Sequence, residues 1–188
     1  MKLIYIILFL LSKKSAVLKQ FWRAELAPKG NINFFRLYLA HRNRKRHFLL
    51  WWRLASQMYM KGNKQQKRVA KKIHWSLQQR YASDISLRAS IGVNPKFIHL
   101  TGVVISGKAT IGDNAVIYQH VTIGLRNDTD ASAAQIGNNV NIAAGACILG
   151  EIKIGNNVKV GAMSLVLTDI PDWATYVCQM QPRIIPAI

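Results

Sequence analysis

Five histidines and two cysteines are the side chains here that can take a proton or attack a carbonyl near neutral pH. His41, His47 and His74 fall among aromatic and basic residues with a helical rhythm, and they read as decoration of helices. His99 and His120 fall in a stretch with a different rhythm. The cysteines, Cys147 and Cys178, form no CxxC pair and no His/Cys cluster, so no metal site is expected. Two cysteines in 188 residues are not a disulfide scaffold, and a reducing cytosol suits them. His99 is the candidate general base: an imidazole placed there would take the proton of a hydroxyl as it attacks an activated carbonyl.

The framework that must hold His99 is periodic. From Asp84 a branched aliphatic or Phe recurs every six residues: Ile85, Ile91 and Phe97, then, after two extra residues, Ile105, Ile111, Ile117 and Ile123. After an insertion the period resumes at Ile136, Ile142, Ile148, Ile154, Val160 and Val166. Small or β-branched residues follow four positions later, among them Ala89, Ala109, Ala115, Val121, Val140, Ala146, Val158 and Ser164. Gly with Asn or Asp fills the turns, as in Gly112-Asp113, Gly137-Asn138 and Gly155-Asn156. Six is neither a helical nor a hairpin period; it predicts a left-handed parallel β-helix of hexapeptide type, with three hexads to a coil.

Counting faces in rotation puts Phe97, Ile117, Ile142 and Val160 on one face. The third residues of those hexads, His99, Gln119, Ala144 and Ala162, then form one row along an edge. Three coil steps of about 4.8 Å span roughly 14 Å. A thin extended arm lying over the alanines would bring its reactive end near His99. His120 falls one position off this row, and neither cysteine lies on it, which argues against a covalent relay. The insertion, Leu125 through Gln135, reads as a loop serving a site or a neighbouring subunit.

The first half differs in charge as well as rhythm. Up to Asp84 there are nineteen Lys and Arg against Glu25 and Asp84; beyond it seven basic residues face six acidic ones. Helices are predicted from Lys13 to Gln79, with apolar spacings at Phe34, Leu37 and Tyr38 and at Phe48, Trp51, Trp52 and Ala55. Breaks are expected at Pro28–Asn31 and Lys61–Asn63. The run Leu3–Leu11 is too short to span a bilayer, and Lys13-Lys14 stand where a signal-peptide cleavage site would need small residues. A basic helix lying in a membrane interface fits it better.

The lead-in Tyr81-Ala82-Ser83-Asp84-Ile85, the stretch His99-Leu100-Thr101-Gly102-Val103-Val104-Ile105 and Val121-Thr122-Ile123-Gly124 resemble the serine acetyltransferase-like hexapeptide transferases. That resemblance implies a homotrimer with sites between subunits and acetyl-CoA as co-substrate. It implies a histidine base steadied by an aspartate fifteen residues earlier, the separation of Asp84 and His99. It also implies CoA running past Ala144 and Ala162, a backbone N–H at Gly124 near the thioester, and Arg183 as a phosphate contact. Three departures stand out. Ile98 replaces an acidic residue that helps hold the serine amine, Ser132-Ala133 replace an Arg-His pair, and Gln179-Met180-Gln181-Pro182-Arg183 replaces Gly-x-Pro-Ala-Arg.

These departures favour the polysaccharide branch, of the colanic acid acetyltransferase type. The expectation is an O-acetyltransferase acting on a sugar hydroxyl in surface polysaccharide or lipopolysaccharide assembly, with serine O-acetylation as the alternative and free serine a poor acceptor. The chain divides into a basic helical region (1–84), the β-helix (85–170) and a tail (171–188). The expected location is the cytoplasm, at the inner face of the membrane, with no nucleic-acid partner. A trimeric zinc hydratase and a non-catalytic basic scaffold are the rivals; the first lacks a close histidine pair, and the second would bind independently of His99.

Overall fold

A computed structural model describes residues 2–27 and 30–178. Five helices come first: α1 (Lys2–Leu11), α2 (Ala16–Leu26), α3 (Phe34–Arg42), α4 (Arg44–Lys61) and α5 (Lys64–Tyr81). Asparagines start three of them. The Asn33 side chain accepts from Arg36 N at 2.9 Å, that of Asn43 accepts from Arg46 N at 3.1 Å, and Asn63 forms a reciprocal capping box with Gln66. At Asn43 the chain breaks between α3 and α4. Pro28 and Lys29, in the expected first break, lie outside the described residues.

The hexads form a left-handed parallel β-helix. Face A stacks the strands at Asp84, Val104, Thr122, Cys147 and Leu165; face B those at Ser90, Thr110, Gln135 and Lys153; face C those at Lys96, Val116, Asn141, Lys159 and Thr175. The register pairs like with like, as in Ile85↔Ile105↔Ile123↔Ile148↔Val166. These aliphatics, and the small residues four positions on, fill the interior. The stacking runs beyond residue 170: Thr175–Tyr176 pairs with Lys159–Val160, so the first eight residues of the expected tail complete another partial coil.

The corner between faces B and C shows why Asn and Asp occupy the turns. Asn94, Asn114, Asn139 and Asn157 all have positive φ, and their amides bond one to the next at 3.4, 3.1 and 3.1 Å. One position earlier, Asp113, Asn138, Asn156 and Asp172 each accept from a backbone N–H of the preceding coil, at 2.7–2.9 Å. A Cβ on Gly112 would run into Asn138, so this ladder also fixes the glycine beside it.

Along a parallel strand, alternate residues bond to the coils on either side. The first coil has no coil beneath it, so some of its carbonyls are orphaned, and buried orphans are costly. The helices supply the donors. Trp52 Nε1 bonds Ile85 O at 3.0 Å, Ser56 Oγ bonds Leu87 O at 2.9 Å, and Arg53 bonds Ile91 O at 2.7 Å and Gly92 O at 2.5 Å. Phe48 meets Phe97 edge-on at 5.6 Å. Arg53 is held in turn by Glu25 at 2.7 Å, both side chains being 3% exposed, and stacks 3.9 Å over Phe21.

The helical histidines do more than decorate. His74 Nε2 also reaches Ile85 O, at 3.0 Å, and His41 Nδ1 accepts from Trp51 Nε1 at 2.9 Å. His47 is buried beside Tyr81, 3.1 Å from its hydroxyl. Burial, then the charges of Arg80 and His41, lower its pKa to about 4.

Two predictions follow from this cap. Arg53→Met should cost about 3–5 kcal/mol in denaturant unfolding, because Glu25 is left buried and unpaired. Arg53→Met with Glu25→Leu should recover part of that loss; a double variant as unstable as the single would show that the orphaned carboxylate is not the cause. The second prediction concerns pH. His47 is neutral in the fold and would take a proton near pH 6.5 when unfolded, so its contribution is complete above pH 6.5 and falls as pH drops toward about 4. At most it amounts to about 3 kcal/mol. His47→Gln should flatten stability against pH across that window, measured by thermal unfolding.

Candidate active site

The corner between faces C and A carries the candidate site. Its turn residues have positive φ at Gly102, His120, Gly145 and Met163, one per coil. The backbone confirms this stacking: His120 N bonds Thr101 O, Gly145 N bonds Gln119 O, and Met163 N bonds Ala144 O, at 3.0, 3.0 and 2.9 Å. The row along this edge is therefore Thr101, Gln119, Ala144 and Ala162. His99 is not in it. Ile98 still pairs in frame, its N–H bonding Ile117 O at 2.9 Å, so His99 and Leu100 are two residues bulged out of the corner. The extra residues between Phe97 and Ile105 enter after Ile98, which counting by hexads could not locate.

The bulge leaves His99 exposed at the edge while Leu100 packs against the core. The rest of the corner is small or polar. Gln119 Oε1 is buried and has no hydrogen-bond partner among the described residues, Ala144 is half-buried and Ala162 is exposed. His120, whose φ is +57°, lies over Gly102, where a Cβ would strike its ring.

Asp84 lies on the neighbouring strand of face A. Asp84 N bonds Val103 O at 2.8 Å and Gly102 N bonds Ala82 O at 2.7 Å, which ties the aspartate's segment to the residues just after His99. The carboxylate itself is 63% exposed and turned toward α5. It accepts from Gln78 Nε2 at 2.7 Å and lies 3.9 Å from His74 Nε2. Among the described residues no hydrogen bond or ion pair joins it to His99.

Gly124 closes its strand opposite Leu149, and Gly150 N bonds its carbonyl at 3.1 Å. A Cβ there would make only an ordinary contact, 3.5 Å from Leu149, so nothing within the protomer requires glycine. Arg183 lies outside the described residues. Cys147 points out from face A, away from the edge row, and burial pushes its thiol pKa up, which leaves it a poor nucleophile.

The insertion after Gly124 is an ordered loop. Asp130 accepts from Arg126 N at 2.7 Å and Asn127 N at 3.0 Å; these bonds hold its carboxyl below the usual range. Lys108 Nζ reaches Asp130 O at 2.5 Å, and Ser132 N bonds Glu151 at 2.8 Å. Ala133 and Ala134 are fully buried, and Thr110 N bonds Ala134 O at 3.1 Å. The coil has already resumed there. Ala133 thus cannot be compared with an acceptor-facing side chain, although Ser132 is half-buried at the end of the loop, and the inference drawn from the pair loses its ground. The exposed cation of this loop is Arg126, which the sequence reading passed over.

Residues 133–168 match the bacterial transferase hexapeptide family (six repeats). In that stretch the solenoid is similar to those of the hexapeptide-repeat transferases. A probable serine acetyltransferase 1 of Oryza sativa subsp. japonica is 49% identical over 98 residues, 52% of this chain and 32% of the relative. The Staphylococcus aureus serine acetyltransferase is 43% identical over 90 residues, 47% of this chain and 42% of the relative. The chain thus spans well under half the length of these curated relatives. Serine acetyltransferase isoform 3 of Entamoeba histolytica, solved with cysteine, superimposes with a TM-score of 0.71 at 25% identity, covering 100% of this chain and 65% of that one. The Brucella abortus serine acetyltransferase, solved with coenzyme A, gives 0.65 at 28%, covering 84% and 60%.

These relatives overturn the sugar-acceptor expectation. The relatives and solved structures named above are serine acetyltransferases, and they do not support the finer resemblance to the colanic acid type. The error came from treating local differences as decisive, one of which includes Ala133, a residue of the interior.

The corner itself generates a prediction. Gly102→Ala should destabilise the fold by about 1–3 kcal/mol, from backbone strain at φ +70° and from collision with His120. Adding His120→Ala should relieve the collision and leave the strain. Equal unfolding midpoints for wild type and Gly102→Ala would show that this corner does not hold its geometry.

Proposed function

We propose that this chain is an acetyl-CoA-dependent acyltransferase that acetylates the hydroxyl of L-serine, as a homotrimer. The observation that carries the reading is the fit of a solved serine acetyltransferase to the whole chain, TM-score 0.71, with His99 projecting from the edge where the row of small residues begins. In this reading His99 takes the serine hydroxyl proton, and the oxygen attacks the thioester carbonyl. The tetrahedral intermediate expels the CoA thiolate, which leaves with the proton held on His99. Asp84 would have to turn from Gln78 to His99 to steady the imidazolium. Ala144 and Ala162 form the floor for the CoA arm, and Gly124 and Arg183 are assigned to the thioester and phosphate ends. Exposed apolar side chains beside this edge, Val104, Met163 and Leu165, supply surface for subunit contact.

Ile98 is an apolar residue beside the base and offers the serine amine no partner. Serine should therefore be turned over with a raised KM rather than rejected. The test is thiol release from acetyl-CoA as serine is titrated. Saturable, serine-dependent release at about 1–1000 per second is expected, with His99→Ala lower by about 100-fold or more on an intact oligomer. Release independent of serine would defeat the acceptor assignment, and an active His99→Ala trimer would defeat the base.

A further inference from the structure

The apolar run at the start of the chain is not buried. Among the described side chains of α1 only Phe9 is fully enclosed, while Leu3, Ile4, Ile7, Leu8 and Leu11 remain 46–78% exposed. α3 behaves likewise: Phe34 is 85% exposed and Phe35 64%. The two helices are parts of one surface. Leu3, Ile7, Phe34 and Tyr38 line a common groove of about 510 Å³ whose floor is Trp22, Leu50 and Trp51. A monomer rarely exposes so large a contiguous apolar area without a partner for it.

The charges around this surface are of one sign. Lys13 and Lys14 follow α1, and Lys19 and Arg23 line the adjoining hollow with Leu10, Trp22 and Leu37. Arg36 and Arg42 sit on α3 itself. Through residue 83 the sole carboxylate is Glu25, and it is buried against Arg53. A second copy meeting this face would bring cation against cation, which is unfavourable. No helix among the described residues is long and apolar enough to cross a membrane.

We propose that the α1–α3 face docks on an anionic lipid bilayer, lying in the headgroup boundary with Phe34, Phe35 and the outer residues of α1 inserted and the surrounding Lys and Arg against the phosphates. Apolar insertion and basic charge are two separate signals for one surface, as reversible interfacial binding requires. The inference stands apart from the acyl-transfer reading, because none of these residues belongs to the candidate active site.

The test is vesicle flotation of the full chain at low salt, with phosphatidylcholine alone and with phosphatidylglycerol added. Binding should need phosphatidylglycerol and weaken with salt. Phe34→Ser with Phe35→Ser, and separately Lys13→Gln with Lys14→Gln and Lys19→Gln, should each lower the bound-to-free ratio about tenfold or more. Both sets lie on the surface, so unchanged thermal unfolding is expected. Light scattering on the same samples supplies the opposing outcome. If the phenylalanine variant lowers the oligomeric mass, a second copy covers the face and the proposal fails. It fails equally if no binding occurs at low salt, or if both variants bind as wild type does.

Discussion

Backbone polarity governs this molecule. A parallel coil satisfies its hydrogen bonds only through neighbouring coils, so the first coil needs a lid of donors. That requirement accounts for Trp52, Arg53, Ser56 and His74, four side chains of four chemistries reaching the carbonyls of Ile85, Leu87, Ile91 and Gly92. Arg53 is the member that couples most widely, since it joins α2 through Glu25 and Phe21 to the solenoid. Its buried pairing gives weak grounds for net stability, because burying both ions has a desolvation cost. What the pair does is fix how the helices sit on the coil, because among the described residues no other donor is placed to serve Ile91 and Gly92.

The cap also bears on the candidate site. α5 ends at Tyr81, and Ala82, with φ +48°, reverses the chain into the strand that carries Asp84. One of the two residues capping Ile85, His74, therefore comes from the same helix that engages Asp84 through Gln78, while Trp52 comes from α4. An aspartate needed by His99 is thus held by the lid in the isolated protomer. Whether it turns is a local question of one exposed side chain, since the backbone already ties its segment to Val103.

Much of this was legible in the sequence, and the reasons are physical. The buried aliphatics repeat because every coil meets the same interior, so a period of six could be read without any structure. The turn asparagines were legible as residues tolerant of positive φ, though their lateral ladders were not, because a hydrogen bond between residues about twenty apart leaves no local mark. The row at the C–A edge was read correctly for Gln119, Ala144 and Ala162. It was wrong for His99, since a spacing of eight states that two residues are extra without saying where they leave the frame. Phe34 and Tyr38 showed the same limit: their spacing announced a helix but not which side of it met protein. The acceptor was misjudged because Ser132-Ala133 were aligned by counting across an insertion, and the coil had already resumed at Ala133.

A solenoid of identical coils has no preferred place for chemistry, so function must sit where the period fails. Apart from the short step of four from Val166 to Ile170 in the last coil, it fails at two places, the bulge at His99-Leu100 and the loop from Leu125, and both border face A. The bulge precedes the strand Val104–Ile105, and the loop follows the strand Thr122–Gly124 in the next coil. Neither irregularity is demanded by folding, because the later coils turn the same corners with Ala143-Ala144-Gly145 and with Gly150-Glu151. Both are nonetheless ordered by specific bonds, Val103 N to Leu100 O at 3.1 Å in one and the Asp130 carboxylate in the other. A feature that the fold does not need, yet holds in place, is better explained by what it presents. Here the two features present an imidazole and an arginine on either side of one strand face, with Asp84 on that same face a coil away.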